Sequence, residues 1–291
     1  DAVAGCRPHG SALGGEVGVS FRSLMTLSLN SISIISAQKM GVNGGVMNER
    51  RLEWRHERTE RERHRCRREL SWRQRILVLL RHGQTVWSES GQHTGRTNIP
   101  LTAVGEQQAA DAGRRLREAF PEGFSQGCVF SSPLKRACQH AELAGFADHG
   151  VLDGIAEWDY GRAEGRTRQQ VSEASGFEWD VWRDGPRSLT PTLEGVGSDL
   201  TLGEQVPVHA GPGETLEEAA VRAKSAIDEI TPLLKDGHNV LLVAHAHILR
   251  ILTSQWLGVD PHFARLLRLD TAHYSVLSVY KGDNVIERWN A

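Results

Sequence analysis

Ile76-Leu77-Val78-Leu79-Leu80 is an unbroken apolar run that stops abruptly at Arg81-His82-Gly83. A run of this length and composition predicts a buried strand. In open α/β sheets, ligands bind beyond the carboxyl ends of the strands. A cation, an imidazole and a flexible residue at such an end therefore mark a candidate site. A second apolar stretch, Asn239 to Ala244, leads into His245-Ala246-His247. Two strand-end histidines, each with an arginine in its neighbourhood, predict one anionic-ligand site assembled from distant segments.

The segments between these strands read as further units of the same kind. Leu101-Thr102-Ala103-Val104-Gly105-Glu106 opens a helix with Thr102 as N-cap, and Ala109, Ala112, Leu116 and Phe120 recur at helical spacing. Cys128-Val129-Phe130 predicts a short strand, followed by Ser131-Ser132-Pro133-Leu134-Lys135-Arg136, which places Arg136 on the first turn of a helix. Val151-Leu152 predicts another strand, then come Ala156-Glu157-Trp158-Asp159-Tyr160-Gly161 and a helix from Thr167. Gly213-Glu214-Thr215 opens a long helix to about Leu234, a further helix spans Ile248 to Leu257, and Tyr274 to Trp289 reads as a terminal hairpin. Alternating strands and helices predict a three-layer α/β/α sandwich on a mostly parallel central sheet, with antiparallel content at one edge. Pro186 to Gly213 shows no sustained period and predicts either a lid over the site that selects the substrate or a surface hairpin with no role in catalysis.

Residues 1–74 read differently from this domain, which is placed at 75–291. Residues 1–48 are small, polar and poor in acid, as in a transit peptide or in translated sequence upstream of the true start, with Met25, Met40 or Met47 as alternative starts. Residues 49–75 carry eleven Arg and six Glu and predict a solvated, disordered extension. The formal net charge of -2 gives no global reason to expect nucleic acid. No clean apolar stretch is long enough to span a membrane, so a cytoplasmic protein is expected, or an organellar one if the leader is a transit peptide. The four cysteines form no metal-ligand spacing. Homo-oligomerisation is left open by the sequence.

Arg81-His82-Gly83-Gln84-Thr85-Val86-Trp87-Ser88, followed by Gly91-Gln92-His93-Thr94-Gly95, resembles the signature of the histidine phosphatase superfamily, the phosphoglycerate-mutase-like proteins. Within it, the string is most similar to the branch of fungal sedoheptulose-bisphosphatases and bacterial acid phosphatases. The resemblance runs from about Arg75 to about Tyr280. It implies that His82 becomes the phosphohistidine and that Glu157 is the general acid, with Asp159 as rival for that role. It also brings Ser88, Thr94 and Gly95 to the phosphate or its neighbour. Ala246 stands where the family usually has glycine, and His247 where the mutases usually carry asparagine.

The residue chemistry suits that role. Arg81 and Arg136 offer planar forks for phosphate, Arg136 beside helix N–H groups, and His245 adds a donor. Their charge makes no demand for a metal or other cofactor, so none is expected. Neutral imidazole is a competent nucleophile, and flanking arginines disfavour its cation. The reading is a phosphatase acting on a small phosphorylated metabolite, most plausibly a sugar phosphate or bisphosphate. A phosphoglycerate mutase is the first alternative, but Arg183-Asp184 stands where the mutases have adjacent arginines, and an acid there repels a carboxylate. A non-catalytic protein that binds a phosphate ligand is the second.

Overall fold

The computed structural model describes residues 76–189, 193–201 and 204–291. The expectations for residues 1–74 lie outside the described residues. Strand β1 (Leu77–Arg81) is followed by a short helix, α1 (Val86–Ser90), which the sequence reading did not include. Its signals are local: Thr85 and Ser88 form a capping box, and Gly91 closes the helix at φ 82°. Helix α2 (Ala103–Ala119) starts at the expected N-cap, with the Thr102 side chain accepting from Gly105 N. Strand β2 (Val129–Ser131), helix α3 (Lys135–Leu143) and the short strand β3 (Gly150–Val151) come next. Helix α4 (Arg168–Ser175) is capped by Thr167, with Gln170 completing the box.

The expected lid contains a hairpin, β4 (Ser198–Thr201) and β5 (Glu204–Pro207). Val208 packs in a small cluster with Trp87 and Ile99, joined by Val196 and Val206, and Trp87 Nε1 donates to Asp199 Oδ2 at 3.0 Å. Helix α5 (Leu216–Lys235) carries a Thr215–Glu218 capping box and buries Ala219, Ala223, Ala226, Ile227 and Ile230, the face expected from spacing. Strand β6 (Val240–Ala244) runs into helix α6 (Ala246–Leu257), and strands β7 (Tyr274–Tyr280) and β8 (Asp283–Arg288) form the terminal hairpin.

Six of these strands make one sheet in the order β3-β2-β6-β1-β7-β8. The first four are parallel and the last two antiparallel, as the sequence implied. The apolar run in β1 serves both faces because successive side chains point to opposite sides of a strand. Leu77 and Leu79 join Ala219, Ile230, Ile251 and Leu252 in one core, whereas Val78 and Leu80 join Ala112, Leu116 and Ala141 in the other. Helices α5 and α6 therefore cover one face and α2 and α3 the other, giving the three layers. Leu77 to Leu80 are all fully buried, so truncating any one of these leucines to alanine should cost about 2–5 kcal/mol.

Pairing also positions the chemistry. Strands β1 and β6 are in parallel register with Arg81 opposite Ala244. The next residues on each strand are His82 and His245, whose ring centroids lie 5.0 Å apart. Among the described residues, no helix is long and apolar enough to cross a membrane.

Candidate active site

The β1 end is fixed before any ligand arrives. His82 N donates to Ala244 O at 2.9 Å, and Gly83 N donates to His140 Nδ1 at 2.8 Å. Gly83 tolerates no side chain, because a Cβ there would lie 2.4 Å from Gly105 O on α2. His82 Nδ1 lies 2.7 Å from Gly83 O. A carbonyl only accepts, so Nδ1 carries the proton and Nε2 keeps the lone pair. Burial drives the pKa of His82 well below the usual histidine value, and Arg136 and Arg81 depress it further. A neutral imidazole with one ordered, proton-free nitrogen is the form a nucleophile needs.

His82 opens on a cavity of about 200 Å³. Of the residues singled out from the sequence, Arg81, His82, Ser88, Thr94, Glu157, Ala246 and His247 line it. Three others do not. Arg136 is fully buried, and its guanidinium donates to Thr97 O, Thr94 O and Gly95 O at 2.9–3.1 Å. Gly95 enters through that carbonyl and through its lack of a side chain, since a Cβ would meet Glu164 Oε1 at 2.4 Å. His245 is fully buried, with Nε2 2.7 Å from Ser132 Oγ.

Arg136 and His245 lie beside His82 rather than in the wall of the cavity, and Arg136 supplies the charge there. Burial lowers the Arg136 pKa to about 10, which leaves it a cation at neutral pH. His245 is pushed well below its usual value by burial, then by Arg136 and His82. Arg81 Nε, Arg136 Nε and His245 Nδ1 are buried without a hydrogen-bond partner.

Glu157 reaches the same cavity from the loop after β3. Its Oε1 accepts from Trp158 N at 2.9 Å and Ile248 N at 2.8 Å, and its Oε2 from His247 N at 3.2 Å. The last two are free N–H groups in the first turn of α6. The spacing had predicted that helix from Ile248, but it starts at Ala246 with His245 as N-cap. The earlier start puts the positive end of the helix on Glu157. Arg222 holds the loop from behind. It donates to the carbonyl oxygens of Gly154, Ala156 and Glu157 and pairs with Glu214 at 2.7 Å. Asp159, the rival acid, does not line the cavity and bonds His209 instead.

The remaining wall was not assigned a role from sequence. It consists of Thr85, Trp87, Gly91, Gln92, His93 and Tyr160. Trp87 links the wall to the β4–β5 hairpin, but no described residue from Pro186 to Gly213 lines the cavity. The described part of the segment braces the wall from outside. The hairpin docks on Trp87 because Val196, Val206 and Val208 find an apolar partner there.

One cluster departs from the expectation that no metal-ligating group would form. Ligand atoms of Asp159, Glu164 and His209 lie within 4.8 Å of one another. Their oxygens are already engaged inside the protein. Glu164 accepts from Arg96 N, Thr97 N and Thr97 Oγ1, and Asp159 from Gly161 N and the His209 ring. The cluster stands off the cavity wall and ties the hairpin segment to the loop after Glu157.

Comparison with known proteins agrees with this arrangement. Residues 77–291 match the family model of the histidine phosphatase superfamily, branch 1. The chain is 33% identical over 180 residues to an acid phosphatase of Mycobacterium tuberculosis, covering 62% of this chain and 74% of that one. It is 29% identical over 206 residues to sedoheptulose 1,7-bisphosphatase of Saccharomyces cerevisiae (62% and 67% covered). It is 34% identical over 187 residues to a 2,3-bisphosphoglycerate-dependent phosphoglycerate mutase of Bifidobacterium longum (60% and 74% covered). A solved structure of a Mycobacterium tuberculosis open reading frame superposes with a TM-score of 0.60 at 29% identity, covering 74% of this chain and 96% of that one.

Proposed function

The chain belongs to the histidine phosphatase superfamily and is a phosphoric monoester hydrolase, and from that premise we propose that it dephosphorylates a small metabolite through a phosphohistidine at His82, without a metal. The observation that carries this reading is the state of His82: Nδ1 bound to Gly83 O, Nε2 left as a lone pair, and two guanidiniums beside it. In the first step the substrate enters as a phosphate monoanion and passes its proton to Glu157; Nε2 then attacks phosphorus, the P–O bond to the substrate breaks, and Glu157 gives that proton to the leaving oxygen. In the second, Glu157 takes a proton from water, whose oxygen displaces phosphate from Nε2, and the proton leaves with the released phosphate. Arg81 and Arg136 balance the charge on the transferred group, as a metal does in other phosphoryl-transfer enzymes.

Mutase action would require the far end of the cavity to hold a carboxylate. Arg183 is turned away from such a role, since its Nε donates to Asp184 Oδ1 at 3.0 Å and its Nη2 to Asp184 Oδ2 at 2.9 Å and to Glu178 O. It does not line the cavity. The test is phosphate release from a panel of sugar phosphates, with 3-phosphoglycerate isomerisation followed alongside. Release with negligible isomerisation supports hydrolysis. Isomerisation that dominates would replace this reading with the mutase, and tight phosphate-ester binding without turnover with the non-catalytic protein.

A further inference from the structure

We propose that the substrate is the monophosphate of a small polyol or sugar, neutral and hydroxyl-bearing at its far end, and that His93 and His247 read its hydroxyls from either side of Tyr160. This rests on the hydrolase reading above and narrows it. The cavity of about 200 Å³ lies below the roughly 300–1,000 Å³ common for drug-sized ligands, so one phosphate and a short carbon skeleton nearly fill it.

The polar groups away from His82 have a definite hydrogen-bond sense. His93 Nδ1 lies 2.8 Å from Arg166 O. That carbonyl accepts, so Nδ1 is protonated and Nε2 is an acceptor. His247 Nδ1 lies 2.6 Å from the Tyr160 hydroxyl. Among the described residues that ring nitrogen is the hydroxyl's hydrogen-bond partner, so the phenol proton goes to Nδ1 and the ring proton of His247 sits on Nε2, a donor. The His93 ring meets Tyr160 edge-on with centroids 5.1 Å apart, and His247 meets Tyr160 at 5.6 Å. Trp179 and Trp182 back the two imidazoles at 5.2 and 5.0 Å. Rings packed on both sides hold both orientations.

An acceptor and a donor flanking one tyrosine complement a hydroxyl group, which both donates and accepts. A second phosphate or a carboxylate only accepts, so it would set its oxygens against the lone pair on His93. It would also lack a counter-charge. Among the described residues lining the cavity, Arg81 is the one arginine or lysine, and it stands at the His82 end. Arg250 stacks on Trp182 at 4.8 Å and spends its Nε and Nη2 on Ala264 O and Arg265 O. Burial keeps both imidazoles below their usual pKa, His247 well below. They therefore do not become cations that could serve a second anion at neutral pH. A buried charge without a partner is strongly disfavoured.

The experiment compares matched pairs on the purified full chain. Glycerol 3-phosphate is set against 3-phosphoglycerate, and fructose 6-phosphate against fructose 1,6-bisphosphate, with nitrophenyl phosphate as a reference lacking hydroxyls. The neutral member of each pair should win in kcat/KM by at least about tenfold, as expected where a site's polar groups are left mismatched. His93→Phe and His247→Phe should each narrow that advantage and lower kcat/KM for the polyol ester more than for nitrophenyl phosphate. His93→Arg should favour the bisphosphate. Preference for the charged member of both pairs overturns the proposal, as do unchanged ratios in folded variants. The wild-type pairs decide the matter should the variants misfold. Failure to hydrolyse any ester, nitrophenyl phosphate included, overturns the hydrolase reading and this inference with it.

Discussion

Replacing Glu157 by glutamine separates proton transfer from structure, because the carboxylate serves both. Glutamine keeps one oxygen for Trp158 N and Ile248 N, but its amide faces His247 N, where Oε2 now accepts at 3.2 Å. Two charge-assisted bonds become neutral ones and a third is lost. Taking about 1 kcal/mol for each change, the variant should be destabilised by about 3 kcal/mol. For a domain of this size that corresponds to a fall in Tm of about 6–12 °C. The catalytic effect is larger and depends on substrate. A positioned general acid is worth roughly 10²–10⁴-fold, so kcat for an alkyl phosphate should fall by that factor. Nitrophenolate leaves with little help, so nitrophenyl phosphate should lose less than about tenfold. The assay is steady-state hydrolysis of both esters at a temperature where circular dichroism shows the variant folded. Equal losses on the two esters would refute the argument and make Glu157 a structural or phosphate-binding residue.

Three further outcomes follow from the same geometry. Chelation by EDTA should leave activity intact, since the arginines supply the charge; inhibition reversed by a divalent cation would contradict this. Stability should fall as pH drops below about 6.5, because the unfolded chain takes up protons there that buried His82, His140, His245 and His247 refuse. His140 alone, held down to about 3 by burial and then by Arg115, should cost about 2 kcal/mol at about pH 5; a Tm that is flat from neutral to that pH would exclude this. Gly105→Ala places a Cβ 2.1 Å from Gln84 O, so α2 must shift from the β1 loop. It should lose about 1–3 kcal/mol and activity together, and wild-type behaviour in both would show that the contact is soft.

What the sequence made legible is local. The apolar run at Leu77 to Leu80 needs no partner to be recognised as a strand. Thr102, Thr167 and Thr215 announce their helices because a cap is a contact between near neighbours. What stayed hidden depends on distant partners. Nothing near Arg136 shows that its guanidinium will be held by carbonyls some forty residues earlier, at |i−j| of 39 to 42. The early start of α6 is hidden because His245-Ala246-His247 has no capping side chain, and the helix end is completed by Glu157 at |i−j| of 90 and 91. The docking of the aperiodic segment was also hidden, because the partner that takes it, Trp87, belongs to α1. His93 stands within the quoted motif, but the sense of its hydrogen bonding follows only from the Arg166 carbonyl that fixes its proton.

The most direct test of the central claim is the covalent intermediate. Rapid mixing of the full chain with a radiolabelled phosphate ester, an alkaline denaturing quench and peptide mapping should place an acid-labile phosphoryl group on His82. His82→Ala should abolish both that label and phosphate release while keeping its fold. Label on any other residue, or turnover by His82→Ala at the wild-type rate, would contradict the account.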